Sequence, residues 1–307
     1  MTEAALALAP PRRRLRDRGA RRRAWGFGLL GIVLLGLLWE AYKALGPADG
    51  VVVADARILP RTSDLAMPHL GEMVARMLEP VTRAEGANPL WLEIVLAASL
   101  TLGIAAAGWV VGVAIGIGLA VLMQRWQLAE SAMLPWIVIS QTVPLIAFAP
   151  LVRSWGSRIE IGAFEWQDWM SVAVIASYLA FFPVAVGALR GLQAPDRIHL
   201  ELMHTYSVGW WQTLTRLRFP AAVPYLLPAL RLAAANAVVG AVVAEVSTGL
   251  QGGIGRLVIQ YAGQASGDPA KAWAPIAGAV ALGLIAAGSV ALLGIIFRNY
   301  RRSEEQA

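Results

Sequence analysis

Gln141, Thr142, Asn236 and Glu245 are the residues whose type and setting point to chemistry, because each lies in or at the edge of a long apolar run. A polar or ionisable group at membrane depth is costly, and by default it is a candidate contact for a polar solute crossing the bilayer. Asn236 stands in the middle of the run Ala221–Val246 and Glu245 near its outer end. Gln141 and Thr142 follow Ser140 in a run interrupted by Pro144 and Pro150. Proline there frees backbone groups that neighbours, water or a cavity must satisfy, so the polar triplet points to a helix lining a polar path. Glu245 also fits a gate, or a solvated carboxylate at a helix end. Arg231 snorkels inward or faces a vestibule between two copies of the chain. Bond-making chemistry has no such footing. The chain has no cysteine, three histidines and no GxxxxGK phosphate loop, and His199 and His204 are five apart, off a common helical face. The expectation is a solute path, with no catalytic residue and no metal site.

A second kind of candidate is amphipathic. Glu201–Pro228 reads ELMHTYSVGWWQTLTRLRFPAAVPYLLP, basic and too polar to cross a bilayer. Leu202, Tyr206, Trp210, Leu214 and Leu217 recur at spacings of four and three, one stripe of a helical surface. Glu201, His204, Gln212 and Arg216 fall largely off it. Pro195 suits a first helical turn, whereas Pro220 is expected to end any helix begun before it. Ser207-Val208-Gly209 reads as a bend between two short helices. On its own chemistry such a piece is either a knob for a partner or an interfacial helix anchored by Trp210 and Trp211.

The elements that must position these residues are membrane helices. The 307 residues are 57% hydrophobic and 15% charged, with mean hydropathy +0.58, outside the range of soluble domains. The net charge of +6 gathers at the ends of apolar spans, so nucleic acid is not the expected partner; the lipid bilayer is. Residues 1–23 read as a basic cytoplasmic tail and 24–46 as a first transmembrane helix. Residues 47–93 form an outer-face loop with a surface helix within Ser63–Leu78. Residues 94–297 form a five-helix transmembrane core with a cytoplasmic loop at 191–220, and 298–307 a second cytoplasmic tail. Within the core the spans fall at Ile94–Met123, Ser131–Leu151, Trp169–Leu189, Ala221–Val246 and Trp273–Phe297, with a short re-entrant or surface helix at Ile254–Ala262. Gly108, Gly112 and Gly116 put small residues on one face of the second span, which allows close helix approach in lipid. Arginine-rich segments flank alternate loops, so the fold expected is an all-α integral membrane bundle of six helices with both termini cytoplasmic.

With that topology, Glu201-Leu202-Met203, then Ser207, then Arg218-Phe219-Pro220 resembles the EAA loop of permease subunits of ABC-type importers. In that loop a proline follows the glycine by thirteen residues, and Pro220 follows Ser207 by thirteen. Leu202 and Met203 replace the two alanines, and Ser207 replaces the glycine. The surrounding text, from about Ala98 to Phe297, is similar to the branch that imports nitrate, sulfonates, taurine, and pyrimidine or flavin precursors. The resemblance implies a multi-pass protein of the bacterial plasma (inner) membrane. It implies a coupling role for Glu201, Leu202, Met203, Tyr206, Ser207, Gly209, Trp210 and Pro220. It further implies a second copy in a homodimer, two cytosolic ATP-binding subunits that carry ATP and Mg, and an extracytoplasmic solute-binding protein. A stand-alone secondary transporter or channel with an interfacial amphipathic helix explains the spans but not the loop.

Overall fold

The computed structural model describes residues 18–53, 56–162 and 164–296. The expected tail at 298–307 and the part of the basic tail before Arg18 lie outside the described residues. The chain divides into two compact units, Met1–Glu72 and Met73–Ala307. The division falls at 72/73 and not at 93/94, because Met77, Val81 and Leu90 pack into an apolar cluster with Ile94, Ile254 and Tyr261.

In the first unit, helix α1 (Arg18–Leu45) starts earlier than the expected 24, since arginines are good helix formers and extend the run N-terminally. A short hairpin of β1 (Val51–Val53) and β2 (Ala56–Leu59) follows, where the prolines had suggested only a loop. Lys43 is buried near the end of α1, where its ammonium donates to Asp64 Oδ1 (2.6 Å), Met67 O (2.6 Å) and Thr62 O (3.3 Å). Those bonds tie the 60–68 loop to the helix. Helix α2 (Leu70–Leu78) begins after Pro68, so the surface helix is shorter than the expected Ser63–Leu78.

The second unit is built on three long helices, α3 (Leu90–Arg125), α6 (Asp168–Leu192) and α9 (Phe219–Thr248). Small residues set their spacing. A Cβ added at Gly112 would lie 2.7 Å from Ser177 O, and one at Gly116 would lie 2.8 Å from Phe181 O, so α3 packs its glycine face directly on α6. On the other side of α6, a Cβ at Gly191 would lie 2.8 Å from Ala222 Cα of α9.

Between α3 and α6 the expected third span differs from the sequence reading. It is two helices, α4 (Gln127–Ser140) and α5 (Leu145–Gly156), bent by 103° at residues 141–144. Pro144 caps α5 with an extended backbone (φ −69°, ψ 111°), which stops α4 and starts a new direction. A second hairpin, β3 (Glu160–Ile161) with β4 (Phe164–Glu165), precedes α6.

After α6 come α7 (Arg197–Thr205), α8 (Trp210–Thr213) and a π-helical segment, Leu214–Arg218, which enters α9 without interruption. Helices α10 (Ile254–Ala262) and α11 (Pro269–Ile296) complete the described chain. Among the described residues five helices are long and apolar enough to cross a membrane, or six if the bent pair is one span. The protein is a mostly helical integral membrane protein.

Candidate functional site

Helix α7 ends in a fully formed Schellman turn. Ser207 N–H donates to His204 O (2.9 Å) and Val208 N–H to Met203 O (3.0 Å), which satisfies carbonyls that the helix end leaves free. Ser207 occupies the left-handed position of this turn with φ +54°, the one non-glycine residue with positive φ among the described residues. This is why a glycine belongs there. The narrow left-handed region remains open to serine, at about 1–2 kcal/mol. Gly209, by contrast, is extended (φ −66°, ψ 160°) and caps α8, accepting Thr213 N–H through its carbonyl at 3.0 Å.

Pro220 does not end a helix begun before it, contrary to expectation. The helix runs unbroken for 39 residues from Trp210 to Thr248, through Pro220, Pro224 and Pro228. The reason lies in Leu214–Arg218. There the helix widens, Phe219 N–H reaches Leu214 O, and the looser turn takes the proline that follows. At 1.5 Å per residue this helix is about 58 Å long, roughly twice a bilayer's hydrocarbon thickness.

The expected stripe from Leu202 to Leu217 is therefore not one surface. The Schellman turn divides it. Leu214 is buried, and Trp210 is half-buried beneath the Arg125 guanidinium, 4.9 Å from the ring centroid. Leu202 and Tyr206 are exposed, joined by Ile198 one turn earlier, and no residue of α7 is buried. Glu201 is exposed and Met203 half-buried. Sequence reading missed Ile198 and Arg125. The first was visible as a continuation of the four-residue spacing; the second comes from 85 positions away, which only the fold supplies. A cavity of about 810 Å3 is lined by Arg125 at the end of α3, by Trp126 after it, and by Ser207, Trp210 and Trp211. Trp210 Nε1 and Arg218 Nε are enclosed there and nearby without an acceptor, although Arg218 Nη1 caps the end of α6 through Leu192 O at 2.7 Å.

The solute-path candidates separate. Gln141 and Thr142 lie in the bend between α4 and α5, half-buried and exposed respectively. Gln141 Nε2 donates to Ser140 Oγ (3.3 Å), and Thr142 Oγ1 donates back to Ile139 O (2.8 Å). Tyr178 of α6 donates its hydroxyl to Ser140 O, fixing the bend to the bundle. Asn236 serves the backbone of a neighbouring helix. Its amide donates to Leu179 O (3.4 Å), the carbonyl that Pro183, four residues on, cannot pair.

Glu245 is neither solvated nor open to a path in this conformation. It is fully buried, accepting from Thr101 Oγ1 (2.8 Å) and Gly255 N–H (2.8 Å). Thr101 Oγ1 in turn accepts Ile254 N–H (2.9 Å). The residue before α10, Gly253, has no side chain to cap that helix, so α9 and α3 supply the cap. Thr101 gave no sequence signal, since its partners are 144 and 153 positions away.

The family described as binding-protein-dependent transport system inner membrane component matches residues 112–302. The chain is 32% identical over 208 residues to the formylaminopyrimidine transport permease protein ThiX of Halalkalibacterium halodurans, covering 66% of this chain and 77% of that one. It is 27% identical over 243 residues to the putative aliphatic sulfonates transport permease protein SsuC of Bacillus subtilis, covering 78% and 76%. The riboflavin transport system permease protein RibX of Chloroflexus aurantiacus is 30% identical over 134 residues, which are 44% of this chain and 46% of that relative.

Proposed function

The chain belongs to the family of binding-protein-dependent transport system inner membrane components, and from that premise we propose that Arg197–Pro220 is its coupling segment, driven by a separate ATPase subunit. The protein is a permease subunit of an ABC transporter, a multi-pass protein of the inner membrane whose work is transport and not catalysis. One observation carries the coupling assignment. The exposed apolar edge of Ile198, Leu202 and Tyr206 is joined by a single tight turn to a helix that continues unbroken into α9.

Force applied to that edge enters a membrane helix with no flexible loop between. The edge seats in a groove of a cytosolic ATPase, which holds ATP and Mg; this chain has no phosphate loop to do so. Two copies of the chain form the path, two ATPase subunits close beneath them, and the attached helices tilt so that the path opens outward. A solute-binding protein then releases its cargo. Gln141 and Thr142, at the bend, are the path residues this reading retains, whereas Asn236 and Glu245 hold helices together. The relatives point to a small organic anion or a pyrimidine or flavin precursor as solute.

Leu202→Glu is the direct test. An exposed substitution leaves stability within about 0.5 kcal/mol, so the variant inserts and melts as the parent does. Uptake falls by at least about tenfold, and the ATPase subunit no longer co-purifies, because a central apolar contact of an interface is lost. Uptake that survives ATP depletion in the parent protein overturns the reading.

A further inference from the structure

Helix α3 carries an exposed apolar face that ends on a charge. Val111, Ile115, Gly118 and Leu122 are all exposed, at spacings of four, three and four, and the exposed Arg125 falls three residues further along the same face. From Ile115 to Arg125 the helix advances about 15 Å, the depth of one leaflet's hydrocarbon. In a membrane protein such a face lies against acyl chains, and the arginine then stands where their headgroups begin.

The cavity of about 810 Å3 beside the coupling segment is built at that point. Gly118, Val121 and Leu122 form its apolar part, and a Cβ added at Gly118 would meet nothing within 4 Å. Its polar part includes Arg125, Trp126, Ser207, Trp211 and Gln212. These five side chains all carry N–H or O–H groups, and among the described residues none of them makes a hydrogen bond within the chain. No Asp or Glu lines the cavity.

The rings hold the charge in place. The Arg125 guanidinium lies over Trp210, 4.9 Å from the ring centroid, and Trp210 meets Trp211 edge to face at 4.8 Å. A ring face orients a guanidinium but accepts none of its in-plane N–H bonds. Phosphate oxygens match that planar fork. A free phosphate ion would use the polar part of the cavity and leave the apolar part empty. A phospholipid fills both.

Resting on the permease reading above, which puts the end of α3 at the cytoplasmic surface, we infer that this cavity is a binding site for an inner-leaflet phospholipid. Its headgroup phosphate pairs with Arg125, and an acyl chain lies along Leu122, Gly118 and Ile115. The lipid bridges the end of α3 to the turn at Ser207, so the coupling segment is braced by lipid as well as by protein.

The experiment titrates the intact transporter, purified in detergent, with dioleoyl phosphatidylglycerol and measures retained lipid by native mass spectrometry. The parent is compared with Arg125→Gln, with Gly118→Leu, which fills the apolar part from an exposed position, and with Arg190→Gln, an exposed arginine near the end of α6 that does not line the cavity. Melting is checked for each. The expected result is that Arg125→Gln weakens lipid retention about fivefold, the effect of one cation beside an anionic headgroup. Gly118→Leu weakens it comparably and Arg190→Gln leaves it unchanged, while neither dioleoylglycerol nor inorganic phosphate displaces the lipid. Equal weakening by Arg190→Gln shows lipid gathered by general surface charge and overturns the site. Displacement by inorganic phosphate shows a simple anion site and overturns the lipid assignment, as does retention indifferent to both Arg125→Gln and Gly118→Leu. Lipid that binds only once the ATPase subunit is stripped away shows that a protein segment fills the cavity, and overturns it too. The measurement needs no transport, so uptake that survives ATP depletion sinks the permease reading separately.

Discussion

The two ends of the Trp210–Thr248 helix are finished in opposite ways. At its C-terminal end Gly249 takes the left-handed turn (φ +71°) without cost, and the Glu245 carboxylate is enclosed with its partners. Arg153 donates to Thr248 O and pairs with Asp168, so the last turn is closed off as well. At the other end a serine stands in the left-handed turn that precedes α8, the helix loosens into a π segment, and apolar side chains face solvent. Trp210 and Arg218 each keep an enclosed N–H without an acceptor. The carboxylate at one end has its partners, and two N–H groups at the other do not. A satisfied end has one low-energy arrangement and resists displacement. An end with strain, exposed apolar surface and unmet donors has something to gain by moving or by binding.

Ends built so differently should respond differently to mutation. The largest effect is expected at Glu245→Ala, which strips the acceptor from buried donors and should cost about 3 kcal/mol, read as a lower melting temperature in detergent. Glu245→Gln keeps an acceptor oxygen for Gly255 N–H and should recover much of the loss. Gly116→Ala comes next, because its Cβ would meet Phe181 O at 2.8 Å. An overpacking cost of about 1–3 kcal/mol follows there, while Gly118→Ala, with open space around it, should be neutral or slightly stabilising. Ser207→Gly should move the other way, stabilising by about 1 kcal/mol through relief of the left-handed serine. A destabilised Ser207→Gly protein would show that the two ends are not different in kind.

The smallest effect is a pH response outside both ends. The hydrogen bond from Lys43 holds the Asp64 carboxyl below its ordinary value, helped by the ammonium charge. The charged form is therefore favoured by folding, so its contribution is present above the unfolded value of about 3.9 and is lost as pH falls below it. Limited proteolysis of the 60–68 loop should speed up only in that acid range, and Asp64→Asn should remove the dependence.

The sequence showed most plainly what local rules decide. The helix at Ile254–Ala262 was legible because Gly253 precedes its apolar spacing and Gly263 follows it. The close contact of α3 was legible because Gly108, Gly112 and Gly116 share one face, and α6 lies against them. Directions and long-range partners were not legible. Pro144 announced a break, but nothing local fixes an angle of 103°. Pro220 read as a stop because proline's missing donor is a local fact, whereas the π turn that accommodates it depends on how the whole helix is held. Asn236 and Glu245 looked like solute contacts because intramembrane polar groups often are. Their partners, the Leu179 carbonyl and the Thr101 hydroxyl, belong to other helices, so only the fold shows these bonds.

The π segment has a consequence for aim. A π turn holds one residue more than an α turn, and each α-helical residue advances the chain by about 100° around the axis. The surplus residue within Leu214–Arg218 is absorbed by the wide turn, so Trp210, the Schellman turn and the Ile198–Leu202–Tyr206 edge leave the shaft of α9 on the bearing that the residues of α9 itself set. Losing that residue would let the turn close to α geometry with both flanking helices still in phase, whereas losing one residue between Phe219 and Thr248 would swing the edge to another heading. Azimuth, set by a count of residues, is built into this helix as firmly as length.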